Sequence, residues 1–562
     1  MKQNKIIWIS LVLTLVGLIL YFATLNNTST KGGKAYGGVL RISSKSKKPT
    51  LFPLANNTIE AQRLQQLIFE PLLKPAQNER GWRYCLASQI ELNSKRNQVL
   101  IHLKKNIHFT DNPCFRFHTS ELSAEDVAFS LSLACTKQEK IQQELLLPKL
   151  IVGGERFYHN KSNPIQTYVS GIRVIDNYTL QIKLTSAYNH FFNLLTSPSL
   201  GILSKQAAKY YGPNIASHPV GTGPFLLQNK LKNTYIFERN PSYWRHDKYG
   251  NQLPYLDRVE LSCGASGQLA QKLFLKNKLD LLFDLPLDDL REAFGTLNDA
   301  KQGKNPLHEV YIKNAAKVHF IQFSCKGPFQ NLAVRKAFAL VIDSETICEA
   351  VLKGEGQALN GRFIPTQKHY KNNLLFSDTR DLTQKITQAK LLMTQAGYDV
   401  QHPLPPIVFY VGAAKNTLAY KWSAAAVRML EKALNVRVKL KETKRPRHHA
   451  GKNQGEMWRS GCVADYPGAE PYLRLFYSGA QNPLAFRHSG VDTYYLESIR
   501  AQSNEKRLRA QVRCEKAIIE QQALIPIYTE DFIVLNQLRL RGLQLETSGM
   551  PDFAELFMKE VN

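Results

Sequence analysis

The chain has 562 residues, of which 43% are hydrophobic and 21% charged, so it is too long for a single core and too mixed in polarity for a disordered or multi-span membrane protein. Lys plus Arg number 73 against 46 Asp plus Glu, a net charge of +27. These cations are spread along the chain without zinc-finger spacing, an aromatic RNP motif or a basic-zipper pattern, which argues against nucleic acid and for an anionic envelope surface or solute.

In chain order, Lys2 and Lys5 precede Ile6 to Leu25, a stretch of twenty residues without a charge that is long enough for one membrane-spanning helix. No small-x-small cleavage site follows Tyr21, and the first cysteine is Cys85, too late for a lipoprotein. The expectation is an uncleaved anchor with the rest of the chain outside the cytoplasm; a cleaved signal peptide with an atypical site is the alternative. Residues 26–36 read as a polar tether, with folding expected from Gly37. A strand at Val39 to Ile42, a turn at Thr50 to Pro53 and a helix from Glu60 to Leu73 follow. Strands at Val99 to Leu103 and Thr179 to Leu184 flank a helix whose start is marked by Ser123 and Asp126, spaced as a capping box. Of the eight scattered cysteines, none in a C-x-x-C pair, Cys85 and Cys114 are the first candidates for a disulfide because both lie in this early region.

Gly221 and Gly223 bracket Thr222 ahead of Pro224, the pattern of a tight backbone crossing. Apolar runs at Phe225 to Gln228, Tyr235 to Glu238 and Arg258 to Leu261 then predict an antiparallel meander. Farther on, Val334, Ala337, Phe338, Val341 and Ile342 share one helical face, and Asp343 or Ser344 caps a second helix carrying Ile347 and Val351. A helix from Ala389 to Ala396 stops at Gly397, and Ile407 to Val411, Trp422 to Leu434 and Val436 to Leu440 form a βαβ unit.

Several of these segments, GGVLR with TLFP and EPL, GTGP followed by ERNPSYW and PYLDRV, VRKAFALVIDSETICEAVL and AKLLMTQAGYD, closely resemble the extracytoplasmic solute-binding proteins that serve oligopeptide, dipeptide and nickel import. The resemblance runs from about Gly37 to about Leu545. It implies an α/β, two-lobed periplasmic-binding-protein-like fold of type II, in the large cluster with an extra subdomain, with a ligand cleft between lobes joined by a hinge. The expected division is an anchor or signal peptide at 1–25, a tether at 26–36, lobe I at 37–78 and 195–305, its extra subdomain at 79–194, lobe II at 306–528 and a return to lobe I at 529–562. Chain crossings are expected near Asn305 to Val310 and Ile525 to Asp531.

The same resemblance places the site in GCVADYPGAEPYLRLFYS, residues Gly461 to Ser478. In peptide-binding members a carboxylate in an ADY-type turn pairs with the ligand's α-ammonium group, and Asp465 stands at that position, with Tyr466 and Cys462 beside it. A buried ammonium needs such a fixed counter-charge, while main-chain hydrogen bonds hold the rest of a peptide irrespective of its side chains. Asp465 also suits a turn residue ahead of Tyr466-Pro467-Gly468, and the Trp that many members carry shortly before this Asp is replaced by Cys462 and Val463. Arg362 in NGRFIP is the candidate partner for a ligand carboxylate. The basic run Lys439 to Lys452, with His448 and His449, reads as a solvated loop or a surface for an anionic partner.

No G-x-S-x-G elbow, H-E-x-x-H, phosphate-binding G-x-x-x-x-G-K or Rossmann glycine pattern is present. The expectation is a monomeric binding protein without cofactor or metal, not an enzyme, that passes peptides to a membrane permease and its ATPases. Alternatives are a receptor for another solute, such as a cell-wall peptide, a metal chelate or haem, and an envelope-tethered chaperone or adhesive module.

Overall fold

The computed structural model describes residues 30–559 apart from 56–57, 77–80, 137–146, 187–190, 266, 284–298, 300–301, 303–307, 354–355, 366–369, 371–379, 416, 444–455, 465–467, 480–485, 502 and 547–548, and omits the side chains of 313–316. The apolar N-terminal segment, Asp465, Tyr466, His448 and His449 therefore lie outside the described residues. Among the described residues no helix is long and apolar enough to cross a membrane.

Three strands, Phe225–Leu231, Thr234–Arg239 and Arg258–Cys263, form the expected meander. Val39–Ser44 adds to it in parallel, pairing Val39 with Arg258 and Ser44 with Cys263. A second four-stranded antiparallel sheet is inserted in the chain between these strands, from Ala87–Leu92, Gln98–Leu103, Ile172–Asp176 and Thr179–Lys183. Its helix Ala124–Ala134 starts as expected: the Asp126 carboxylate accepts from the Ser123 backbone N–H at 2.9 Å and from its hydroxyl at 2.7 Å.

The helix expected from Glu60 to Leu73 ends early, at Ile59–Gln65. The reason is tertiary. The carbonyls of Leu67 and Ile68 are taken by the N–H groups of Phe225 (2.9 Å) and Gly223 (2.8 Å), which fixes that stretch against the GTGP crossing, and Leu73–Pro75 continues as a strand. The crossing glycines serve close approach: a Cβ at Gly221 would lie 2.0 Å from the Ile68 carbonyl oxygen, and one at Gly223 2.6 Å from it.

The larger sheet is mixed. Its two long members, His308–Phe323 and Leu524–Gln537, run antiparallel from His308 opposite Gln537 to Gln322 opposite Leu524. At one end Leu281–Phe283 joins them; at the other, Glu456–Val463, Ile407–Val411 and Val438–Glu442 extend the sheet. The βαβ unit is as expected, with the parallel strands Ile407–Val411 and Val438–Glu442 joined through the helix Leu418–Leu434. Helices cover one face over a core that includes Ile321, Phe323, Val334, Phe338 and Trp422, and a second core containing Val318, Phe320, Trp458, Tyr472 and Phe476 fills the opposite face. Asp343 is the cap of Ser344–Ala350, accepting from Glu345 N at 3.0 Å.

One expectation is corrected. All eight cysteines are free thiols, so Cys85 and Cys114 do not pair. Cys85 faces Glu70 at 3.8 Å and is pushed up to about 12 by burial, while Cys114 belongs to the short turn Pro113–Phe115 and its carbonyl accepts from Gln206. Within the stretch read as a tether, residues 26–36, the chain already touches the body. Lys31 is already docked on Asn251 through two 2.9 Å hydrogen bonds, and the Tyr36 hydroxyl donates to Gln252 O at 2.7 Å.

Candidate ligand cleft

The two long strands carry a bulge where Lys313 opposite Phe532 is followed by Lys317 opposite Glu530, and a second irregularity between His319 and Phe320. Extra residues on one strand bend it and weaken its ladder. Just beyond the bulge Lys317 pairs with Glu530, and His319 stacks on Tyr528 with ring centroids 4.3 Å apart and an interplanar angle of 12°.

The neighbouring strand Glu456–Val463 lies in register, with Ile321 opposite Arg459 and His319 opposite Gly461. Because side chains alternate along a strand, Arg459 and Gly461 share the face of His319. Gly461 leaves room there: a Cβ would stand 3.4 Å from His319 Nδ1. Burial, with Lys317 and Arg459 beside it, holds the His319 imidazole well below its ordinary value and therefore neutral. Its Nε2 approaches Glu530 at 3.3 Å, but neither ring nitrogen is aligned for a hydrogen bond, so this contact is not an ion pair.

Arg459 was not singled out in the sequence. Burial lowers its guanidinium pKa, its Nε is sealed from solvent without an acceptor, and no carboxylate among the described residues pairs with it. Its signal in the sequence is one cation inside the otherwise uncharged run MWRSGCVA, six residues before Asp465. A half-buried cation left open this way is poised for an anionic group from outside the protein.

Cys462, half-buried, is on the same strand opposite Val318 and points to the face away from Arg459. The strand leads through the buried Ala464 to Asp465 and Tyr466, which are outside the described residues, and the chain resumes at Gly468 and Ala469. Arg362 lies in a half-buried turn that starts from the short strand Gln357–Ala358, itself paired with Thr529 and Tyr528. That turn is pinned because the Glu515 carboxylate accepts from Phe363 N and Ile364 N at 2.9 and 2.8 Å. The structure thus brings Cys462 and the Arg362 turn to the strands that carry His319 and Arg459. Among the described residues no group of three or more His, Cys, Asp or Glu side chains is arranged to hold a metal ion.

The most recognisable sequence motif serves a different purpose. Tyr243 OH and Trp244 Nε1 of the ERNPSYW segment donate to the Glu70 carboxylate at 2.8 and 2.7 Å, and Thr222 of GTGP donates to it at 3.3 Å. Asn240 Nδ2 reaches Gly223 O at 2.9 Å, and Lys74 stands 3.6 Å from Glu70. Glu70 is 1% exposed, so the signature is a buried polar lock between the Ile59–Gln65 helix region, the GTGP crossing and the meander, not a ligand contact.

A mixed α/β fold of two lobes with a ligand cleft between them is the class that this architecture defines. The solved structure of the Escherichia coli murein tripeptide binding protein MppA aligns with a TM-score of 0.76 at 19% identity, covering 94% of this chain and 100% of that one. The sequence profile of the bacterial extracellular solute-binding proteins, family 5 Middle, matches residues 82–483, and the chain belongs to this family. The periplasmic oligopeptide-binding protein OppA of Escherichia coli (strain K12) is 23% identical over 376 residues, and the match spans 64% of each chain. Heme-binding protein A of Haemophilus influenzae is 23% identical over 481 residues, 79% of this chain and 78% of its own length.

Proposed function

We propose that the chain is the extracytoplasmic solute-binding component of an ATP-driven importer that takes peptides into the cleft, closes over them and delivers them to a membrane permease. It binds and releases without turnover and works as a monomer, held at the membrane by an uncleaved segment at residues 6–25. The observation that carries this reading is Arg459, a half-buried cation whose Nε is sealed from solvent and which has no carboxylate partner among the described residues, on the strand that leads to Asp465. A zwitterionic peptide presents both complementary charges: its carboxylate to Arg459 and its ammonium group to Asp465. Arg362, at the neighbouring turn, is a second cation for the carboxylate end, and Tyr466 and Cys462 flank the ammonium site. The bulge between Lys313 and Lys317 is where the two long strands bend as lobe II, residues 306–528, closes on lobe I. The name of the oligopeptide-binding relative supports the ligand class.

Calorimetric titration of short peptides with free and acetylated amino ends tests it. The wild type is expected to favour the free-amino peptide, and Asp465→Ala to abolish that preference; equal affinity of wild type and variant for the free-amino peptide would remove Asp465 from the site. A second reading, an anionic non-peptide solute such as haem, is favoured by the longer match to the haem-binding relative and by Arg459, which suits any carboxylate. Mass spectrometry of the solute released from natively purified protein decides between them.

A further inference from the structure

The start of the described chain limits how the body can sit at a membrane. Only residues 26–30 separate Leu25, the end of the apolar segment, from Lys31, which is fixed to Asn251 by two 2.9 Å hydrogen bonds. Six Cα steps reach no farther than roughly 20 Å, whatever their conformation. The docking is continued by Gly32, packed against the Tyr249 ring, and by Lys34, which pairs with Asp247 and Glu555, each at 3.4 Å.

The loop that receives the chain is rigid and outwardly basic. Asp247 is 9% exposed, and its carboxylate accepts from Tyr249 N and Asn251 N, both at 2.8 Å, from Asn251 Nδ2 at 2.9 Å and from the Tyr255 hydroxyl. Gly250 closes the turn at φ 85°, a conformation that favours glycine. With its acid turned inward, the loop shows solvent His246, Lys248 and Tyr249, the last 41% exposed and with the Lys248 ammonium 4.9 Å from its ring centroid. Lys31 is exposed beside them. The exposed carboxylate of Asp257 is occupied by Arg239 at 2.6 Å.

We propose that this face, the turn His246 to Gly250 with Lys31, rests on an anionic lipid bilayer and sets the orientation of the tethered receptor. Charge complementarity and the short covalent reach select the same partner: lysines near an anionic leaflet are attracted within a Debye length, and an aromatic ring beside them suits the headgroup layer. The inference rests on the reading of residues 6–25 as a retained anchor.

The test uses the full chain in nanodiscs of brominated phosphatidylcholine with about one-third phosphatidylglycerol, and an intact-mass measurement. Trp is placed at the loop (Tyr249→Trp) or at a remote site, Val400, which is 89% exposed (Val400→Trp), and each emission is taken as the difference from wild type. Bromine quenching of the loop probe is expected to exceed that of the remote probe at least threefold, with residues 1–25 present in the mass. Adding Lys31→Glu and Lys248→Glu should bring loop quenching down towards the remote level. Equal quenching at both positions with residues 1–25 retained overturns the surface while leaving the anchor standing; a mass lacking residues 1–25 overturns anchor and surface together. Unchanged quenching in the double-charge variant overturns the role of anionic lipid. Should Tyr249→Trp misfold, amide exchange of 246–250 in the unmutated chain reads the same contact: slower in phosphatidylglycerol discs than in phosphatidylcholine discs supports it, and equal rates refute it.

Discussion

Around Glu70 the donors of Tyr243, Trp244, Thr222 and Lys74 converge on one buried carboxylate, whereas around Arg459 the chain leaves a half-buried guanidinium without a carboxylate among the described residues. Both places are polar and desolvated, yet the first is internally complete and the second is not. A completed network fixes the relative position of segments and gains nothing from a ligand. An incomplete one costs stability in the empty protein and recovers it when a solute supplies the missing charge. The comparison teaches that the part of the sequence easiest to recognise holds the fold together, and that the candidate site is marked by what is unpaired.

Breaking the lock should have the largest effect. Glu70→Ala strands Lys74 and three donors in a buried site, and a loss of about 3–5 kcal/mol is expected, measured as a lower denaturation midpoint and poor soluble yield. A midpoint equal to wild type would show that the lock is dispensable. Arg459→Met should separate the two regions most clearly. Affinity for carboxylate-bearing solutes is expected to fall by about 2 kcal/mol or more, roughly thirtyfold, while thermal stability holds or rises because a partly desolvated cation without a carboxylate partner is gone. If stability drops and affinity does not, Arg459 belongs with the lock rather than with the cleft.

The smallest effect comes from the edge of the lock. Burial raises the Glu546 carboxyl to about 7, with Asp552 adding to it and Lys74 and Arg83 opposing. A carboxyl whose folded value is raised stabilises while protonated, fully so below its ordinary range near pH 4.5, and that contribution is lost as pH climbs through about 7. Glu546→Gln stays neutral, so its melting temperature should gain on wild type by about 1–3 °C between pH 5 and 8. A gap that is constant with pH would mean that Glu546 does not titrate there.

Much of the fold was legible in the chain because its signals are local. Ser123 and Asp126 lie within one helical turn, the meander declares itself by alternating apolar runs, and the face built from Val334, Phe338 and Val341 repeats at helical spacing. The misjudged helix after Gln65 shows the limit, since Leu67 and Ile68 surrender their carbonyls to Gly223 and Phe225, far along the chain. The candidate site was partly legible. The family resemblance named the segment and Cys462 within it, but Arg459 carried only the faint mark of a charge in an apolar strand, and His319, Tyr528 and Glu530 come from crossings remote in sequence.

The sequence by itself determined the family, the order of helices and strands and the motif that becomes the lock, because capping, periodicity and turn chemistry act over a few neighbouring residues. Only the tertiary structure decided which charges are answered and which are left open, and where the N-terminal chain meets the body at Lys31 and Asn251. Desolvation and pairing depend on what distant segments bring alongside a side chain, and no local pattern contains that information.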